Sequence, residues 1–136
     1  MLDFIKKLKN IILNVEIADD INSQSKGLMF RKNLSEDNGM LFIFKYPEYL
    51  KFWGENTFIP LDIAFIKNNK IISIQDIKPL SKKIICSPEK CSIAIETNLG
   101  FFERNKIRKD DIVVVNENDN LVIFKKEINN YENKIS

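Results

Sequence analysis

Asp62 lies in the run Pro60-Leu-Asp-Ile-Ala-Phe65, whose neighbours leave little surface for a carboxylate. An ionised carboxylate buried without partners is costly, so Asp62 should be paired or hydrogen-bonded. Arg31, Asn56 and Thr57 are the nearest plausible partners. Arg31 follows Leu28-Met-Phe30 and should emerge from an apolar surface, and its planar fork suits bidentate pairing with a carboxylate. Such a network would either pin a helix end to a sheet or line a cleft. Glu96, among Ile93, Ile95 and Leu99, follows the same logic, although a strand residue with apolar companions on the other face can simply meet water. Asp62 and Glu96 together have the chemistry of a general acid and base, as in glycoside cleavage, if they stand about 5–9 Å apart. Trp53 lies close to Phe52, Glu55, Asn56 and Phe58. A ring beside amides suits a sugar or another small polar ligand, the ring covering an apolar face and the amide fixing hydroxyls. Most of the ten phenylalanines are expected to fill the core.

Composition removes several alternatives. The 136 residues contain no histidine, which excludes Ser-His-Asp and Cys-His catalysis and His-ligated zinc. Lys plus Arg is 21 and Asp plus Glu is 19, and a net charge of +2 is no electrostatic footprint for nucleic acid. With 44% hydrophobic and 29% charged residues the chain is globular. Ser81 and Ser87 have no base that the sequence identifies, so a serine nucleophile is unsupported. Cys86 and Cys91 flank the turn Ser87-Pro-Glu-Lys90. Were that a hairpin, the thiols would face each other at disulfide distance; the alternative is two reduced structural thiols. No second cysteine pair exists to complete a metal site, and no cofactor is implied.

These groups need a scaffold. Residues 1–10 are expected to be a short basic lead-in helix, 11–125 a single β-rich domain, and 126–136 a polar tail that frays. No apolar run reaches the ~18 residues of a membrane span, and Asn14 and Glu16 interrupt the only stretch resembling an export signal, so a cytoplasmic location is expected. A strand over 11–18 puts Ile11, Leu13, Val15 and Ile17 on one face. Asp19 or Asp20 should cap a short helix that Gly27 ends. Met40-Leu-Phe-Ile-Phe44 is apolar on both faces, as a central strand is. Further strands are expected over 52–57, 61–66, 71–77, 92–97, 112–115 and 121–124, with a helical turn over 101–107. Asn68-Asn69 is the signature of a type I′ hairpin turn. About eight short strands with one or two short helices, and no room for crossover helices, predict a mainly β (α+β) fold: an antiparallel sandwich or distorted barrel.

Gly27-Leu-Met-Phe-Arg31, Gly39-Met-Leu-Phe-Ile-Phe44, Phe52-Trp53, Asn56-Thr-Phe-Ile-Pro-Leu-Asp62, Glu96 and Gly100-Phe101 occur in one order. That ordered set resembles domain-of-unknown-function family 192, a widespread group of small prokaryotic domains, over roughly residues 15–115. The resemblance implies a compact, mostly β fold and no settled activity. The family commonly reads Phe-Trp-Met-Lys-Asn-Thr where this chain has Gly54 and Glu55, so a pocket lined by those positions would be wider and more acidic here. Asp110-Asp111 stands where the family tends to have Gly-Asp, and aspartate tolerates the left-handed conformation such a turn needs.

The resulting expectation is a binding module for a small polar ligand, a saccharide for example, or a partner peptide, held by Arg31, Trp53, Glu55, Asn56, Thr57, Asp62 and Glu96. One alternative is a metal-independent hydrolase using Asp62 and Glu96. Another is an architectural protein whose polar set only holds the fold. Residue order leaves the oligomeric state open.

Overall fold

The computed structural model describes residues 6–129. Nine strands and two short helices follow one another as β1 (Lys6–Ala18), α1 (Ile21–Lys26), β2 (Asn38–Glu48), β3 (Lys51–Phe52), β4 (Leu61–Lys67), β5 (Lys70–Ile77), β6 (Ile85–Cys86), β7 (Cys91–Asn98), α2 (Phe101–Arg104), β8 (Ile112–Asn116) and β9 (Leu121–Asn129). Seven strands close a barrel in the order β1-β2-β7-β4-β5-β8-β9, and β3 with β6 forms a separate two-stranded sheet. This is the distorted barrel the strand spacing predicts. Neighbouring strands run antiparallel except β1 and β2, which are parallel. Their connection through α1 is the sort of crossover a parallel pair requires.

Two periodicities build two cores. Leu13, Leu41, Ala64, Ile95, Val113 and Phe124 fill the barrel with Phe101 and Phe102 of α2. The alternate residues of the same strands, Met40, Phe42, Ile63, Phe65 and Ala94, pack outward against Leu28 and Ile85, with Phe52 beside them. The β2–β7–β4 wall is therefore covered on both faces, which explains its apolar composition. The α1 segment and β3 supply the outer cover and make a recess possible there.

Local chemistry fixes the joints. The Asp20 side chain accepts the Ser23 backbone N–H at 2.7 Å, and α1 ends at Gly27, whose φ is +50°. Gln24 donates from its side-chain amide to the Ile43 carbonyl at 2.7 Å, fastening α1 to β2. Asn68 and Asn69 adopt φ of 52° and 60°, as the hairpin turn demands, and Asp110 takes φ of 75° where the family favours glycine.

Four local expectations change. Lys6–Asn10 is strand and not helix, because it pairs with β9 from Lys6↔Asn129 onward; residues 1–5 and 130–136 lie outside the described residues. The expected tail is strand as far as Asn129 for the same reason. The strand expected over 52–57 stops at Phe52, since the Thr57 N–H turns back to the Gly54 carbonyl and Asn56 adopts φ of 56°. Cys86 pairs with Lys51 in the small sheet while Cys91 pairs with Glu48 in the barrel, so the two cysteines do not form a hairpin. Both thiols are free, Cys86 exposed and Cys91 buried. No helix among the described residues is long and apolar enough to cross a membrane.

Candidate functional site

Glu96 lies on β7 in register with Met40 on β2 and Ile63 on β4, so its side chain shares their outward face. It is 4% exposed. Above it a recess of about 280 Å³ opens between α1 and β3. Phe42, Phe44, Phe52 and Trp53 give it aromatic walls; Leu28, Met29 and Gly27 close another side; Gln24, Lys26 and Lys51 stand at the polar margin. Phe52 meets Phe42 edge-to-face at 4.9 Å between centroids and Phe44 edge-to-face at 6.5 Å, so the rings form a corner and not a stack. Gly27 adds room: a Cβ there would lie 3.5 Å from the Phe42 ring and 3.9 Å from the Glu96 Oε1.

The Glu96 carboxyl receives no hydrogen bond or ion pair from a described residue. Burial alone pushes it up from the usual carboxylate range to about 8, so it is largely protonated at neutral pH. No buried side-chain nitrogen or oxygen among the described residues is both sealed from solvent and unpaired. The unpaired carboxyl therefore keeps its access through the recess. A protonated acid here offers one O–H donor and one acceptor carbonyl. Ionised, it offers a charge to which no described residue is bonded.

The other predicted residues fall in different places. Thr57 lines the recess with Trp53 and Glu96, whereas Arg31, Glu55, Asn56 and Asp62 do not. Asp62 is in register with Thr97, one position beyond Glu96, so it points to the opposite face of the wall. Its Oδ2 accepts the Gly100 N–H at 2.8 Å, and it borders a separate cavity with Glu103, Lys106 and Arg108. Burial raises its carboxyl from the usual value, while the Gly100 hydrogen bond works against that rise. The two carboxylates thus share no cleft, and the expected acid–base pair does not exist. Nor is Asp62 the partner of Arg31. Arg31 forms a bidentate pair with Glu16, its Nη2 lying 2.8 Å from Oε1, and that contact holds the Glu16 carboxyl below its usual range. Glu16 is the register partner of Met40, so the pair stands on the outward face two strands from Glu96, about 10 Å away across the sheet.

Neither Gly54 nor Glu55 lines the recess over Glu96. A Cβ on Gly54 would lie 2.0 Å from the Lys78 carbonyl oxygen, so close backbone approach requires glycine there. Glu55 approaches Lys82 at 3.9 Å on the surface. Asn56 acts through its backbone, its carbonyl accepting the Phe30 N–H at 2.8 Å and tying the end of the α1 segment to the loop after β3. Residue order does not mark Phe42 and Phe44 as wall residues, because phenylalanine in a central strand reads as core. The available signal was that Met40–Phe44 is apolar on both faces, which requires an outer cover.

Over residues 4–115 the chain matches the family model DUF192, "Uncharacterized ACR", and it belongs to that family. Among solved structures it is similar to a protein of unknown function from Novosphingobium aromaticivorans, with 27% identity, TM-score 0.72, and coverage of 82% of this chain and 85% of that one. It is also similar to a protein from Sinorhizobium meliloti described as a candidate transcription regulator, with 25% identity, TM-score 0.70, and coverage of 96% and 98%. No curated protein matches the chain.

Proposed function

We propose that the protein is a binding module that takes a small polar ligand into the recess over Glu96. The observation that carries this reading is a carboxyl 4% exposed, without a partner among the described residues, at the base of an aromatic-walled recess. A folded chain gains nothing from leaving such a group unpaired, whereas a ligand that pairs it gains much. Phe52 and Trp53 would cover the ligand's apolar face and Glu96 would fix its polar end. Trp53, 39% exposed, stands where a ligand would meet it first. The volume, about 280 Å³, suits a single small ring or short chain.

A partner peptide is the second reading, and a distinct observation favours it. The Phe30 N–H bonds the Asn56 carbonyl and the Leu80 N–H bonds the Thr57 carbonyl, which gathers exposed Phe30, Phe58 and Leu80 around the loop that carries Trp53. Exposed apolar groups brought to one loop in this way are the kind of surface that a partner covers.

Trp53 is the sole tryptophan, so its fluorescence reports the recess directly. The test titrates neutral monosaccharides, small amines and short peptides into wild type, Glu96→Gln and Asp62→Asn. Saturable quenching in wild type and Asp62→Asn, altered in Glu96→Gln, supports the reading. Equal responses in all three proteins, or none, reject it.

A further inference from the structure

We infer that the group this recess is shaped to receive is a protonated nitrogen: a ligand with an ammonium or guanidinium on a short apolar stem, seated on Glu96 within the corner of Phe42, Phe44, Phe52 and Trp53. The inference rests on the binding reading above and narrows it to one chemical class.

Two observations carry the inference and a third orients the ligand. The first is the missing partner. Among the described residues, the charged groups near Glu96 are occupied or in water: Arg31 is committed to both oxygens of Glu16, while Lys26 on α1 and Lys51 on β3 are exposed at the margin and make no bond to Glu96. No further titratable side chain among the described residues lines the recess. A buried carboxylate is tolerable when a cation with hydrogen-bond donors is brought to it, and no described residue is bonded to it in that role.

The second is the wall. Aromatic faces carry negative potential and attract cations. Rings at interplanar angles of 78° and 83° enclose a corner, which suits a compact cation better than a flat ring needing parallel stacking. Leu28 and Met29 complete an apolar side for a stem.

The third is the direction of charge. Lys26 and Lys51 at the margin face solvent, where salt screens them. They disfavour a cation at the mouth and favour any anionic tail there, so a zwitterion would enter with its nitrogen inward.

The binding step is proton-balanced. At neutral pH the Glu96 carboxylic acid gives its proton to the buffer as the cation docks, leaving a carboxylate–ammonium pair, and no bond to carbon forms or breaks. Uptake should therefore strengthen as pH rises toward 8, while the ligand amine itself stays protonated.

The test uses n-butylammonium and the neutral alcohol 1-pentanol, whose extra methylene favours the alcohol and so makes it a stringent control, on the full chain, followed by Trp53 fluorescence and by calorimetry at pH 7 in two buffers of different ionisation enthalpy. The expected result is saturable binding of n-butylammonium about tenfold tighter than 1-pentanol. Up to one proton should be released per ligand. Glu96→Gln should lose that preference and the proton release while still binding 1-pentanol. Proton release is measured on wild type, so the result stands even if the variant folds poorly. If 1-pentanol binds as tightly as the amine and no proton is released, the cation inference falls and the binding module remains. If neither probe nor any monosaccharide or peptide perturbs Trp53, both fall.

Discussion

Removing the charge at Glu96 should change how stability depends on pH. In the unfolded chain this carboxyl titrates near 4.5, and in the folded protein near 8. Between those values the folded state holds a proton that the unfolded state has released, so stability falls as pH rises through the window and levels off above it. The burial contribution is fully present below pH 4.5 and lost above pH 8. At about 1.4 kcal/mol per pH unit, the interval from 4.5 to 8 gives a ceiling of about 5 kcal/mol. Access through the recess lets water reach the ionised form and reduces this, so a loss of about 2–5 kcal/mol is expected. That is a large share of the 5–15 kcal/mol typical of a domain. Glu96→Gln keeps shape and hydrogen-bonding capacity without a titrating group. Urea denaturation of both proteins from pH 4.5 to 9 should show similar stability at the acid end and an advantage for the variant that widens up to about pH 8 and then levels off. Curves that stay parallel across the range would refute the argument that Glu96 is buried without a partner.

Other perturbations separate the remaining parts. Gly54→Ala should cost more than about 2 kcal/mol in thermal or urea denaturation, because its Cβ would lie 2.0 Å from a backbone oxygen and not a yielding side chain. Arg31→Ala should cost under about 1 kcal/mol, since its side chain and that of Glu16 are 34% and 54% exposed; a double-mutant cycle should find its coupling with Glu16 and none with Asp62. Asp62→Ala removes the acceptor for the Gly100 N–H and should destabilise by about 1 kcal/mol while leaving Trp53 quenching by recess ligands unchanged. Thiol titration should find Cys86 reacting promptly in the native protein and Cys91 only on unfolding, since burial shields Cys91 and pushes its thiol up.

What residue order reveals here is local. Asn68-Asn69, Asp20, Gly27 and Asp110 each act through a conformational preference of one or two residues, and each sits in the conformation its chemistry favours. In Leu61–Lys67 the period-two geometry of a strand likewise puts Leu61, Ile63 and Phe65 on one face. The functional set depends on register, which is a property of pairs of strands. Asp62 and Glu96 look equivalent along the chain, and only the pairing of Ile63 with Glu96 sends one carboxylate inward and the other out. Arg31 illustrates the same limit: its preference for a carboxylate is legible, but Glu16 comes within reach through the parallel pairing of β1 with β2, which an antiparallel expectation does not contain. Phe42 and Phe44 become pocket walls because the outer face of the barrel is covered incompletely, leaving a recess between α1 and β3.

The most direct measurement is the side-chain carboxyl ¹³C resonance of Glu96, followed by NMR against pH with and without n-butylammonium. A free-protein midpoint near 8 that moves down as the amine saturates places an unpaired acid in a cavity that receives a cation. A midpoint in the ordinary carboxylate range, unmoved by the amine, would contradict it.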